Sequence, residues 1–442
     1  MQQFSTDIDE DRQPPLSIPF AHFVVGGVVL LIGGGIAGFG AFVPGVEPAG
    51  AGTLHLLLAG WVGLTIMGAM TQFVPVWSGT AVHSRRLSVV SLWLVSIGLV
   101  GLAGAFVTRA YPLLPIAGGV LLAGFWVFVY NLARTLPAIR EMDITEAHFA
   151  FALGSLVVGT GLGVALAVTY GFRVQVAGIS PSRLVVAHLT ATVFGFVLTT
   201  IVGALYQLAP MFTQAEDTAF DAHLARVEMI ALPAGSTLLA AGRLLGSDPL
   251  ATVGASSLLF GVAAVALFLT HQLWTARVEP SPLVRRYWLV ALSMTGWVTL
   301  TVPYWLANPL SLFGRFGNPA GTHLLFAGVI TLTILGTVYH VVPFIVWYHR
   351  YSDRLGYASV PMVEDLYDDR LATVEFWLLG AGLTALWLGD LLSAPAWVIA
   401  VGGNLFGGGV LLFGVNMTLV VWRHRPETGR EVLALLVGRN TH

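Results

Sequence analysis

His55, His188 and His323 lie 133 and 135 residues apart, and each opens a long apolar segment that runs to a proline, at Pro75, Pro210 or Pro343. Counted back from those prolines, the three segments agree. Glycine stands fifteen residues before the proline at Gly60, Gly195 and Gly328, and seven before it at Gly68, Gly203 and Gly336. A polar side chain stands three before it, at Gln72, Gln207 or His340. A period this long excludes a solenoid and reads as triplication of a bundle of about four helices.

The 442 residues are 56% hydrophobic and 10% charged, with mean hydropathy +0.80. The apolar runs exceed the ~20 residues that span a bilayer, so the expected fold is all-α and polytopic. Twelve spans are predicted at 18-43, 53-77, 87-107, 111-136, 146-171, 182-211, 223-243, 249-273, 283-306, 319-347, 371-393 and 395-422. They form one membrane domain over 1-442, with three pseudo-repeated four-helix arcs at about 18-136, 146-273 and 283-423. The histidine helices are the second of each arc.

Arginine sets the expected orientation. The links after the second, fourth and eighth spans hold Arg85 and Arg86, Arg134 and Arg140, and Arg277, Arg285 and Arg286, and the tail holds Arg423, Arg425, Arg430 and Arg439. The alternate links carry fewer: Arg109, Arg173 and Arg183, Arg243, and Arg315. By the positive-inside rule both termini are cytoplasmic, in a multi-pass protein of the cell membrane, and His55, His188 and His323 lie in its outer part. The acidic, polar opening to about Pro15 predicts no removable signal peptide.

The chain has no cysteine, which excludes disulfides, iron–sulfur ligation and covalent haem attachment through Cys-x-x-Cys-His. All 21 basic residues are arginine, which removes lysine chemistry. The net charge of -2 gives no reason to expect nucleic acid, and the expected partners are membrane lipid and a redox partner protein or quinol.

A histidine within a bilayer needs a partner, and such positions mark function more often than not. One reading makes each imidazole an interhelical hydrogen-bond partner for a threonine or a freed carbonyl. The other makes it an axial haem ligand, since two facing helices can clamp an iron between neutral imidazoles. His55 and His323 both stand twenty residues before their prolines, whereas His188 stands twenty-two before and Thr190 takes the position at twenty. Two residues turn a helix by ~200°, so His55 and His323 are the candidate bis-histidine pair and His188 belongs to another pocket or to none.

The stretches His55 to Pro75 (HLLLAGWVGLTIMGAMTQFVP) and His323 to Pro343 (HLLFAGVITLTILGTVYHVVP) resemble the haem helices of subunit I of the heme-copper oxidase superfamily, which includes the nitric oxide reductase large subunit. The extension Pro75-Val76-Trp77-Ser78-Gly79 also resembles the NnrS proteins, which bind haem and copper. The likeness covers nearly the whole chain in architecture but is specific only in these helices. It implies a low-spin haem b on His55 and His323.

Other features of that superfamily are missing. Gly321 stands where its oxidases carry a second helix-ten histidine, no His-His pair exists for copper or non-haem iron, and the channel lysine cannot exist in a chain without lysine. The resemblance therefore does not extend to a standard dioxygen-reducing centre. It also implies cationic partners for haem propionates, and Arg315, eight residues before His323, is the expected one.

His340, seventeen residues after His323, lies about 25 Å further along the helix and cannot share that haem. With Gln72 and Gln207 it is expected in an inner polar cluster that bonds freed backbone or lines a proton path, which Tyr206 and Tyr339 could extend. His22, His148 and His223 are expected to be solvated at cytoplasmic helix ends, and 349–370 to form a solvated loop. Gly60 and Gly68 read as close-packing positions that admit a neighbouring helix or a flat ring.

The expected function is a membrane haem b protein of heme-copper oxidase subunit I type, in electron transfer or nitric oxide and oxygen redox chemistry. One alternative is an active terminal oxidase or nitric oxide reductase whose unusual metal site, copper or a second haem, centres on His188. Another is a cofactor-free transporter built from repeats.

Overall fold

In the computed structural model, residues 15–39, 50–279, 281–424 and 426–436 are described. The acidic opening, positions 40–43 of the first expected span, and Arg425 and Arg439 lie outside the described residues. Among the described residues, twelve helices are long and apolar enough to cross a membrane. They are α1 (Ser17–Gly38), α2 (Ala51–Ser78), α3 (Arg85–Val107), α4 (Tyr111–Ala133), α5 (Ile144–Phe172), α6 (Pro181–Thr213), α7 (Ala219–Leu245), α8 (Asp248–Trp274), α9 (Pro282–Ala307), α10 (Pro319–Arg354), α11 (Asp369–Leu391) and α12 (Ala396–His424). A short helix α13 (Pro426–Leu436) follows. The molecule is an all-α polytopic membrane protein.

Local chemistry sets the helix ends. Asp143 caps α5 and receives Glu146 in return, and Thr218 and Asp221 close the same reciprocal box on α7, so backbone donors that the first turn leaves orphaned are satisfied. Proline opens α6 and α9, where its missing N–H costs nothing. The repeated prolines do not end their helices. Pro75 and Pro210 lie one turn before the ends of α2 and α6, which stop at the left-handed residues Gly79 and Gln214, and α10 runs on from Pro343 through Tyr351.

The chain divides into two compact units, Met1–Arg173 with Glu431–His442, and Val174–Arg430. In the first, α1 packs on α2, α2 on α3, α3 on α4 and α4 on α5. In the second, α6 packs on α7, α7 on α8, α8 on α9, α9 on α10, α10 on α12 and α11 on α12. The three histidine helices are the most buried of the twelve, while large apolar side chains such as Ile116, Ile230, Phe260 and Leu292 stand exposed on the others, the face a bilayer would cover.

The repeat extends to helices where the sequence shows it weakly. In the third helix of each arc, Gly98, Gly235 and Gly382 let the fourth helix approach so closely that a Cβ would stand 2.4, 2.2 and 2.5 Å from the backbone nitrogens of Leu121, Leu258 and Phe406. Seven residues before these glycines stand Ser91, Glu228 and Glu375, and eight after them Phe106, Arg243 and Asp390. All of these but Ser91 meet side chains of the histidine helices, and they make the sites.

Candidate functional sites on the histidine helices

Each histidine helix carries a π-helical stretch in nearly the same register: His55–Val62 in α2, Thr190–Leu198 in α6 and Leu324–Thr331 in α10. The glycine fifteen before the proline lies inside each. π-helical turns are rare and concentrate at functional sites, because an extra residue per turn displaces backbone and re-aims side chains. Gly60 and Gly328 meet helices rather than open space. A Cβ on Gly60 would stand 2.5 Å from Val29 of α1 and 2.7 Å from Leu99 of α3, and one on Gly328 2.2 Å from Ser293 of α9. Close helix packing accounts for both glycines.

In the first unit, His55 is half-buried at the start of the π stretch. Its Nδ1 bonds the Ala51 carbonyl at 2.7 Å, and its ring stacks on Phe106 of α3 with centroids 5.9 Å apart. Because a carbonyl only accepts, Nδ1 carries the proton, and in the neutral ring the lone pair lies on Nε2.

His323 in the second unit is held more firmly. Its Nδ1 lies 2.5 Å from Asp390 Oδ2, both side chains about one-third exposed at 32% and 29%. A carboxylate partner fixes ring orientation and again leaves the lone pair of a neutral ring on Nε2. The link before His323 is pinned in turn. Trp297 and Trp305 of α9 donate to the Phe316 and Gly314 carbonyls at 2.8 and 2.7 Å. Gly317, at φ +106°, lies so close to Thr301 that a Cβ would stand 2.4 Å from its hydroxyl, so no other residue fits.

Arg315, the expected propionate partner, folds onto its own link, with Nη1 donating to the Leu312 carbonyl at 3.2 Å and the guanidinium 5.1 Å from the Phe316 ring. The fully buried arginine here is Arg243. It donates to Pro309 and Arg315 carbonyls at 3.0 and 3.1 Å and to Thr190 Oγ1 at 2.8 Å, and lies 5.0 Å from the Trp305 ring centroid. Thr190, at the position His55 and His323 occupy in their helices, is fully buried, whereas His188 is half-buried in the α-helical turn before the π stretch.

At the proline end, a tyrosine–glutamate pair recurs in the second and third arcs. In the third arc Arg286 of α9, Tyr339 of α10 and Glu375 of α11 meet, with Arg286 Nη2 2.9 Å from Glu375 Oε1, both side chains 0% exposed. Tyr339 donates to Glu375 Oε2 at 2.6 Å and accepts from Asn416 at 2.9 Å, while the Arg286 guanidinium lies 4.4 Å from the Tyr339 ring centroid. Tyr206 and Glu228 interact at the matching positions of the second arc. In the first unit, His22 and His148 are each 1% exposed, with Nδ1 bonded to the carbonyl four residues earlier. This corrects the expectation that both are solvated; they lie inside helix packing, and only His223 of the three is exposed. His340 meets the rings of Phe212 and Phe344 at 4.7 and 5.7 Å. In the link after α10, Tyr367 packs on Tyr339 at 5.2 Å, and burial, with Asp369 and Glu364 nearby, pushes its phenol up to about 12.

Asp390, Glu228 and Glu375 were missed from the sequence, and Arg243, expected in a link, lies buried inside α7. A signal existed: each is an ionisable residue inside an apolar span, the kind of position that is costly unless partnered. Among the described residues no three His, Cys, Asp or Glu side chains cluster as a metal site would need. The fold and these sites define an all-α polytopic membrane protein with an imidazole held in a set orientation near the start of α2 and of α10. Comparison with protein-family models and with curated proteins found no match to the chain.

Proposed function

We propose that the protein is a membrane haem b protein of heme-copper oxidase subunit I type, with His55 and His323 as the axial imidazoles, serving electron transfer or nitric oxide and oxygen redox chemistry. It lies in the cell membrane with both termini cytoplasmic, and a redox protein or quinol is its partner. The carrying observation is the His323–Asp390 pair, the arrangement in which a carboxylate orients a ligating imidazole. His55 is oriented through Nδ1 as well, so each histidine by itself presents Nε2 as an axial imidazole would, and the shared register of the two histidines twenty residues before proline supports the pairing. Bound there, haem b would supply a one-electron iron couple. Arg315 remains the proposed propionate partner, and His188 the centre of any further copper or haem site.

The experiment is a pyridine haemochrome assay on protein made with adequate haem supply. Haem b is expected, with a low-spin spectrum lost in His55→Ala and in His323→Ala and retained in His340→Ala. Haem-free wild-type protein would refute the reading.

A further inference from the structure

The two axial imidazoles are held differently. His55 Nδ1 bonds a neutral carbonyl of its own helix, an interaction that His22 and His148 also make and that any helical histidine can form. His323 Nδ1 instead bonds a carboxylate brought from α11, sixty-seven residues away in sequence, at 2.5 Å. Asp390 stands near the end of α11, where the following Leu391, Leu392 and Ser393 are exposed, so an aspartate there could have stayed in solvent. Its carboxylate turns onto the imidazole. The matching positions of the other arcs hold Phe106 on His55 and Arg243 on Thr190, so only in the third arc is this position an acid.

We infer that Asp390 is a positioning residue that fixes the His323 ring through Nδ1 and, by its negative charge, makes Nε2 a stronger donor and lowers the reduction potential of the group that Nε2 binds. This rests on the haem reading above. The direction follows from electrostatics. A carboxylate one ring away from a bound iron stabilises the oxidised, more positive state, and a hydrogen bond from Nδ1 to an anion raises the basicity of the far nitrogen. Asp390 does not touch the bound group and acts only through His323.

The test compares wild type, Asp390→Asn and Asp390→Glu, purified in one detergent, by haem content, low-spin electron paramagnetic resonance and redox titration. Asparagine keeps the shape and an acceptor oxygen but removes the charge, so that variant is expected to retain haem with its midpoint potential raised and its resonance positions shifted. Glutamate is expected to return both toward wild type. If Asp390→Asn keeps its helical content but loses haem and Asp390→Glu restores it, the positioning role is supported by that route. Should Asp390→Asn fail to accumulate, Asp390→Ser serves in its place. A charge-free variant that carries haem with unchanged potential and resonance overturns the inference while leaving the haem reading intact. A wild type without haem fails the haem reading instead, and the haemochrome assay separates the two failures.

Discussion

Arg286 and Glu375 show what a single residue does in this interior. Both are fully buried and paired at 2.9 Å, and the pair is tied to Tyr339 and Asn416. Two charges taken out of water gain little net energy from each other, but removing one strands the other. Glu375→Leu should therefore destabilise by about 3–5 kcal/mol, and Arg286→Met with Glu375→Leu together should stand closer to wild type than the single change. Thermal unfolding in detergent measures both, and a double variant as unstable as the sum of the singles would show that the charges are not coupled. His188 makes the opposite case. It is half-buried and lies off the Thr190 face, so His188→Ala should leave any low-spin spectrum unchanged. A lost spectrum would place His188 on the same iron as His55.

At the scale of elements, the pseudo-repeat works through close helix packing. Gly235 holds α7 against α8 at a distance where a methyl group would stand 2.2 Å from the Leu258 nitrogen, whereas Gly104 on α3 has nothing within 4 Å. Backbone cannot yield as a flexible side chain can. Gly235→Ala should force the two helices apart and cost about 1–3 kcal/mol, and Gly104→Ala should be neutral or slightly stabilising through helix propensity. Size-exclusion profiles after a heating series would rank them, and equal tolerance of the two changes would contradict the close approach.

For the whole molecule, orientation is open to direct measurement because the chain has no cysteine of its own. Arg140, in the link after α4, and Arg173, after α5, are both exposed. With both termini cytoplasmic, an impermeant maleimide should label Arg173→Cys in intact cells and Arg140→Cys only after permeabilisation; the reverse pattern inverts the topology. If the proposed function holds, purified protein is further expected to show no quinol- or cytochrome-driven oxygen consumption, since the chain has glycine at 321, two residues before His323, and no His-His pair to hold a second metal. Sustained cyanide-sensitive uptake that disappears in His188→Ala would instead favour a gas reductase built around His188.

The spans were legible because hydrocarbon leaves a helix no choice: every backbone polar group must bond within the segment, so apolar length alone marks α1 to α12, and the expected limits fall within a few residues of the observed ones at most ends. The frame of His55, Thr190 and His323 was legible too, since repetition exposes a register that composition hides. The partners were not. Whether His323 meets an aspartate, Thr190 an arginine or His22 a buried helix face depends on which turn of a neighbouring helix lies opposite, and helix rotation and depth follow from packing across the bundle. The π stretches were hidden for the same reason, for nothing local in HLLLAGWV distinguishes a π turn from an α turn. The sequence by itself determined the twelve membrane spans and their approximate limits; only the tertiary structure decided that Asp390, sixty-seven residues beyond His323, closes on its ring.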